Sequence, residues 1–239
     1  MLWYYTQQKQ NVCCLLRDTN SNFAHLILIS VSKLITFSKF TSTDILAVII
    51  DDEFSWQSHV TYVCKTLSKT TKNTFSVISA QTLCGHFQAQ VILSCHISSH
   101  LTYASTVRDG CSDILFKKLN SLHRRAAKLM LPDPSTTKEA KIQRLGLLPL
   151  RQKLTFNKAV LVFKACRNLA PQYLTSLFVW SNSRSSRTII LPKPRKDLFK
   201  TSFSFLGASI WNSIPAQIKA CSSVTCFKKQ LHKWCRGNM

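Results

Sequence analysis

Glycine is scarce in this chain: five in 239 residues, at positions 85, 110, 146, 207 and 237. Phosphate-cradling loops and nucleophile elbows need clustered glycines, so this spacing leaves no Walker-type loop and no nucleophile on a sharp turn. Proline, at seven, is nearly as rare, and the two counts together argue against a turn-rich all-β sandwich. Acidic residues are few beside their counterparts, with ten Asp and Glu against 32 Lys and Arg for a net charge of +22. Long apolar runs are wanting as well. The longest, residues 24–37, is broken by Ser30, Ser32, Lys33 and Thr36 and falls short of the ~20 residues a spanning helix needs, so no membrane span is expected. The opening LWYYTQQKQN has no basic stretch leading into an apolar one, which argues against a secretory signal and for an intracellular protein of the nucleus or cytoplasm. Ten irregularly spaced cysteines then read as reduced thiols rather than a bridge framework.

What is present is one-sided. Residues 114–239 hold 24 Lys or Arg against three acids, Asp133, Glu139 and Asp197, whereas residues 1–113 hold eight against seven. The surplus is therefore +21 in one part and +1 in the other. A dense positive field attracts polyanions such as nucleic acid or an anionic membrane face. At 45% hydrophobic residues the chain is too apolar for a disordered basic tail, so it is expected to fold.

The pattern predicts a mainly α protein with a short β element near the N-terminus and a basic helical C-terminal region. Three regions are expected: a poorly defined 1–55, a helical 56–178 and a basic 179–239. Ile45 to Ile50 reads as one buried strand stopped by Asp51, Asp52 and Glu53. From Ser58 a helix places Val60, Val63, Leu67, Phe75 and Ile78 on one face, and a second covers 87–102. Ser112 and Asp113 cap a helix over 114–131 that Pro132 ends, with Leu115, Leu119, Leu122, Ala126 and Leu129 inward. A short helix over 138–145 stops at Gly146, and Pro149 opens another. In that one Leu150, Leu154, Leu161 and Ala165 face inward and Lys153, Lys158, Lys164 and Arg167 stay in water. Thr188 to Leu191 is strand-like, and helices are expected over 203–218 and 224–234.

Three basic groups are candidates for a phosphate backbone, because cations a helical turn apart can follow it and release its counterions. They are Lys117, Arg124, Arg125 and Lys128; the loop residues Arg187, Lys193, Arg195 and Lys196; and Lys228, Lys229 and Lys233 around a side formed by Phe227, Leu231 and Trp234. Each is equally readable as a solvated face. Phe203 and Trp211 are expected to fill a small core rather than stack on bases. Cys221, Cys226, His232 and Cys235 lack the close CxxC pair of a zinc knuckle, and Cys84, His86, Cys95, His96 and His100 have no carboxylate with them, so no metal site is expected.

Four segments carry a resemblance: LAVIIDDEFSWQSHV at 46–60, residues 101–131, LGLLPLRQKLTFNKAVLVFKACRNLAPQYL at 145–174, and 191–231 with LPKPR and SFSFLGASIWNSIP. In this order and spacing they resemble the C-terminal part of the reverse transcriptase of LINE-type, non-LTR retrotransposons of the jockey-like branch. Ala47 stands where that family usually has Gly, and Arg108 where Trp is common. The resemblance implies a palm-edge remnant followed by a helical thumb and linker, the part that grips the primer–template duplex. It implies an RNA-directed DNA polymerase whose three carboxylates hold two divalent cations.

Asp51-Asp52 is the one adjacent Asp pair, but Ile49-Ile50 precedes it where an aromatic residue is needed, and its flanks resemble the segment after the palm. It is therefore read as a solvated turn at a strand end. Asp18 and Asp44 lie in no motif. No catalytic residue and no cofactor are assigned to this chain, since Mg2+ would belong to the absent palm. The expected function is a polymerase fragment that binds RNA or DNA without sequence preference and does not polymerise. A truncated gene model of an active reverse transcriptase, a decayed coding sequence without a selected function, and a peripheral membrane protein anchored by residues 224–234 stay open beside it.

Overall fold

The computed structural model describes residues 42–80, 91–181 and 188–238, apart from the single positions 46, 52, 54, 92, 109 and 132 and the pair 195–196. The described residues are mainly α-helical, as the periodicity predicts. They fall into two compact units: one of 42–105 and 111–153, the other of 106–110 and 154–238.

In the first unit the run 45–50 is a hairpin, not one strand. β1 (Ser42–Ile45) pairs antiparallel with β2 (Val48–Asp51), Ile45 opposite Val48 and Ser42 opposite Asp51. The turn between them holds Ala47 at φ 59°, the left-handed region that favours glycine. The aliphatic run concealed this turn because no Gly or Asn marks it. Asp51 is buried rather than solvated: its carboxylate accepts the N–H of Ser55 at 2.6 Å, the hydroxyl of Ser55 at 3.0 Å and the N–H of Trp56 at 3.0 Å. Those three bonds fix the entry to α1 (Gln57–Ala80), whose Val60, Val63 and Leu67 are buried as expected. The side chains of Phe75 and Ile78 lie outside the described residues.

After 91 the chain forms a π-helical stretch, Leu93–Ser98, that runs into a single turn at Ser99–Thr102. Ser112 caps α2 (Asp113–Met130), its hydroxyl accepting the N–H of Leu115 at 3.5 Å. The buried residues of α2 are Leu115, Phe116, Leu119, His123, Ala126 and Ala127. Leu122 and Leu129, expected inward, are half-buried flanks, and His123 takes the inner position instead. α3 (Lys138–Arg144) begins at Thr137 and ends where Gly146, at φ 71°, and Leu147 donate back to Gln143 and Ile142.

α4 (Leu150–Cys166) follows Pro149, and the division between the units falls within it after Lys153. Leu150, Leu154 and Ala165 are buried as expected, while Lys153, Lys164 and Arg167 are half-buried rather than in water. Leu154, Ala159, Val160, Val162, Phe163 and Ala165 are buried on several sides, Leu161 is half-buried, and Lys158, expected in water, is buried too. The helix ends at Cys166, where Asn168 turns the chain at φ 55°.

The second unit is built on an aromatic cluster. Phe163 stacks on Phe227 at 4.1 Å between centroids, Trp211 sits 6.4 Å from Phe163 and 6.2 Å from Phe227, and Phe203 meets Phe178 edge-on at 5.6 Å. Trp211 and Phe203 are thus core residues, as expected. Residues 203–218 do not form one helix. α5 (Phe203–Ser213) stops at Ile214, Pro215 interrupts, and a single turn follows at Ala216–Lys219.

Gly207 of α5 allows this packing: a β-carbon there would meet Val162 Cγ2 at 3.0 Å and the Phe178 ring at 3.3 Å. Asn212 bonds Ile189 twice, accepting its N–H at 2.9 Å and donating to its carbonyl at 2.8 Å. The strand-like segment at 188–191 is accordingly a single bridge, Ile189 against Trp180. α6 (Val224–Asn238) closes the unit with Phe227, Leu231 and Cys235 buried; Trp234, expected on that side, is half-buried.

Candidate nucleic-acid interface

Most of the basic residues read from sequence lie on two helices. On α2 the buried residues occupy one arc, and the opposite arc, about 120° wide at ~100° per residue, holds Lys117, Lys118, Ser121, Arg124, Arg125 and Lys128. Lys117, Lys118, Arg125 and Lys128 are exposed and make no ion pair among the described residues. Lys118 is not among the four candidates Lys117, Arg124, Arg125 and Lys128, although it lies on the same arc. At ~100° per residue it lies within about 20° of Arg125 on that arc.

The acids near this face are matched with other partners. Glu139 holds Arg124 at 2.6 Å, Asp133 holds Arg144 at 3.1 Å, and Asp113 holds Arg151 at 3.3 Å. Exposed pairs of this kind add little stability, roughly 0–1 kcal/mol each. Their effect is on the charge pattern, because each pair consumes one acid and one arginine and leaves the four other cations of α2 uncompensated. From Lys117 to Lys128 the row runs about 16 Å at 1.5 Å per residue, some five steps of a nucleic-acid strand at ~3.4 Å per step.

Hydrogen bonds tie the end of α2 to the segment that follows it. Lys141 is buried under the end of α2 and donates to the carbonyls of Leu131 (2.8 Å) and Asp133. The Asp133 carboxylate accepts from Ser135 N–H and hydroxyl and from Thr136, and these bonds, with Arg144 adding a smaller pull, hold it well below the usual carboxylate range. On the inner face of α2, burial lowers His123 from 6.5 to about 4, so its imidazole is neutral at pH 7. The cations on the opposite arc therefore meet no added positive charge from His123.

On α6 the outward arc carries Lys229, Lys233 and Arg236, with Lys228 beside the buried edge, all exposed. Lys193 is exposed in an irregular segment. Arg187, Arg195 and Lys196 lie outside the described residues.

Of the sulfur and histidine groups, Cys221 and Cys226 are adjacent, His232 lies edge-on to Phe156 at 6.2 Å between ring centroids, and Cys235 is buried with its thiol pushed up to about 11. Cys84 and His86 lie outside the described residues, as does the side chain of His96. Among the described residues no three His, Cys, Asp or Glu side chains gather as a metal site, and no helix is long and apolar enough to cross a membrane. No family model, no curated protein and no solved structure matches this chain.

Proposed function

We propose that this chain corresponds to the region after the palm in a LINE-type retrotransposon reverse transcriptase, and that it binds RNA or DNA without reading sequence and without polymerising. The observation that carries the binding part is the exposed arc of Lys117, Lys118, Arg125 and Lys128 on α2, with Glu139, Asp133 and Asp113 each paired to an arginine other than these four. Side chains that reach phosphates supply affinity and orientation, and base edges supply sequence discrimination. A row of lysine and arginine with its aromatic residues in the core fits the first task. The four sequence segments carry the ancestry, and the position of Asp51 agrees with it: a carboxylate that accepts three protein donors caps a helix.

The test is binding of labelled duplex DNA, duplex RNA and single-stranded RNA of several sequences across a salt series. Four phosphate contacts predict a slope of log K against log salt near −3.6 for B-DNA and near −2.8 for a single strand. Affinities should vary little with sequence. Weak binding that is flat in salt would remove the nucleic-acid part, and strong dependence on sequence would remove the phosphate-only reading.

A further inference from the structure

The thiols of Cys221 and Cys226 stand 3.4 Å apart. Neither is there by side-chain freedom alone, since the backbone at both positions is tied down. The N–H of Cys221 donates to Ile218 at 3.2 Å, and its carbonyl accepts from the Arg167 guanidinium at 2.6 Å. Ser223 begins α6: its hydroxyl accepts the N–H of Cys226 at 3.1 Å and its carbonyl accepts the N–H of Phe227 at 3.0 Å. Cys226 is thus the third residue of a long helix, and Cys221 lies in the connection that leads into it. The Gln230 amide, one turn along, reaches Cys226 Sγ at 3.9 Å. Cys221 is buried and Cys226 half-buried, so a small reagent meets Cys226 first.

We infer that Cys221 and Cys226 form a reversible dithiol–disulfide site that small disulfides oxidise. The Cys226 thiolate attacks one sulfur of a low-molecular-weight disulfide RSSR, giving a mixed disulfide on Cys226 and releasing RS−, which takes up a proton. Cys221 then loses its proton, and its thiolate attacks Cys226 Sγ. The mixed S–S bond breaks, the second RS− leaves and is protonated, and one protein disulfide stands in place of two thiols. RSSR has been reduced to two RSH, so electrons and protons balance. To bond, the sulfurs must close from 3.4 Å to about 2.05 Å. Burial, and next the hydrogen bond with Cys226, raise the Cys221 thiol, which makes its attack the slower step. The bridge would tie the connection after Ala216–Lys219 to the first turn of α6, the helix that carries Lys228, Lys229, Lys233 and Arg236.

The full chain is incubated with graded ratios of oxidised to reduced glutathione, quenched with an alkylating reagent, digested and mapped by mass. The expected result is loss of two alkylatable thiols within the one peptide that holds Cys221 and Cys226, at a ratio where exposed Cys95 still alkylates or carries only mixed glutathione. Dithiothreitol should restore both thiols. The Cys221→Ser chain should stop at a mixed disulfide on Cys226, adding the mass of one glutathione. The inference is overturned if wild-type Cys226 accumulates the mixed disulfide without closing, if both thiols alkylate as Cys95 does, or if a different pair closes first. The wild-type map decides alone should the Ser variant fold poorly.

Discussion

Helices α2 and α4 have nearly the same length and charge, and they do opposite things. α2 carries five Lys or Arg and one acid in 18 residues; α4 carries four and none in 17. On α2 the cations gather on one arc and leave the other to Leu115, Leu119, His123 and Ala126. On α4 apolar residues occur on several sides, Lys158 is buried among them, and Arg167, just past the helix end, lies over the Phe163 ring at 5.5 Å with its guanidinium on Cys221. Composition alone does not separate a helix with one exposed cationic arc from a core helix. Angular segregation does, because a long cationic side chain can cover apolar surface with its methylenes wherever no free arc is left for it.

The comparison breaks most sharply in α4. Phe163→Ala should cost about 3–5 kcal/mol, since it removes a ring stacked on Phe227 and touching the Trp211 cluster. Urea unfolding would measure it, and a loss below 1 kcal/mol would deny α4 its core role.

The inner face of α2 gives the next effect. Unfolded, His123 titrates near its ordinary 6.5; folded, burial holds it near 4. Between those values the unfolded chain takes up a proton that the folded chain refuses, so stability falls as pH drops from about 6.5 to about 4 and then levels. The shift amounts to about 3 kcal/mol. Urea melts across this window should show the slope, and His123→Leu should flatten it.

The outer face of α2 should answer to binding and not to folding. Arg125→Gln is expected to leave stability within about 0.5 kcal/mol and to reduce the salt slope on duplex DNA by about 0.9. Lys158→Met on α4 should leave that slope unchanged. If the two substitutions alter the slope equally, the segregation argument fails.

A control touches neither helix. Ala47→Gly relieves a left-handed alanine at φ 59° and should stabilise the hairpin unit by up to about 1 kcal/mol, read as a small rise in the unfolding midpoint.

Much of the fold was legible because its punctuation is chemical. Ser112 and Pro132 bracket α2, Gly146 ends α3 and Pro149 opens α4, each for a backbone reason that needs no tertiary context. The misses have causes of the same kind. The hairpin at 45–48 was hidden by a turn residue with a β-carbon. His123 was passed over for Leu122 because polarity was taken as a sign of exposure, whereas burial here keeps the imidazole neutral. Cys235, not Trp234, completes the Phe227 and Leu231 row, since spacing of four outranks side-chain size on that face.

Of the candidate contacts, the residues on α2 and α6 were readable from helical spacing. Lys118, at the edge of the same arc as Arg125, was left out of the group. Arg124 was drawn as a free cation, and its pairing with Glu139 depends on the placement of α3, which no local pattern gives.

The two hydrogen bonds between Asn212 and Ile189 bear on the order of assembly. The amide meets both backbone groups of a residue 23 positions earlier, standing in for a neighbouring strand. It can do so only once Phe203–Ser213 is wound, since the helix sets the direction of the amide. The bridge between Trp180 and Ile189 is therefore expected to open in amide exchange no later than α5 unwinds.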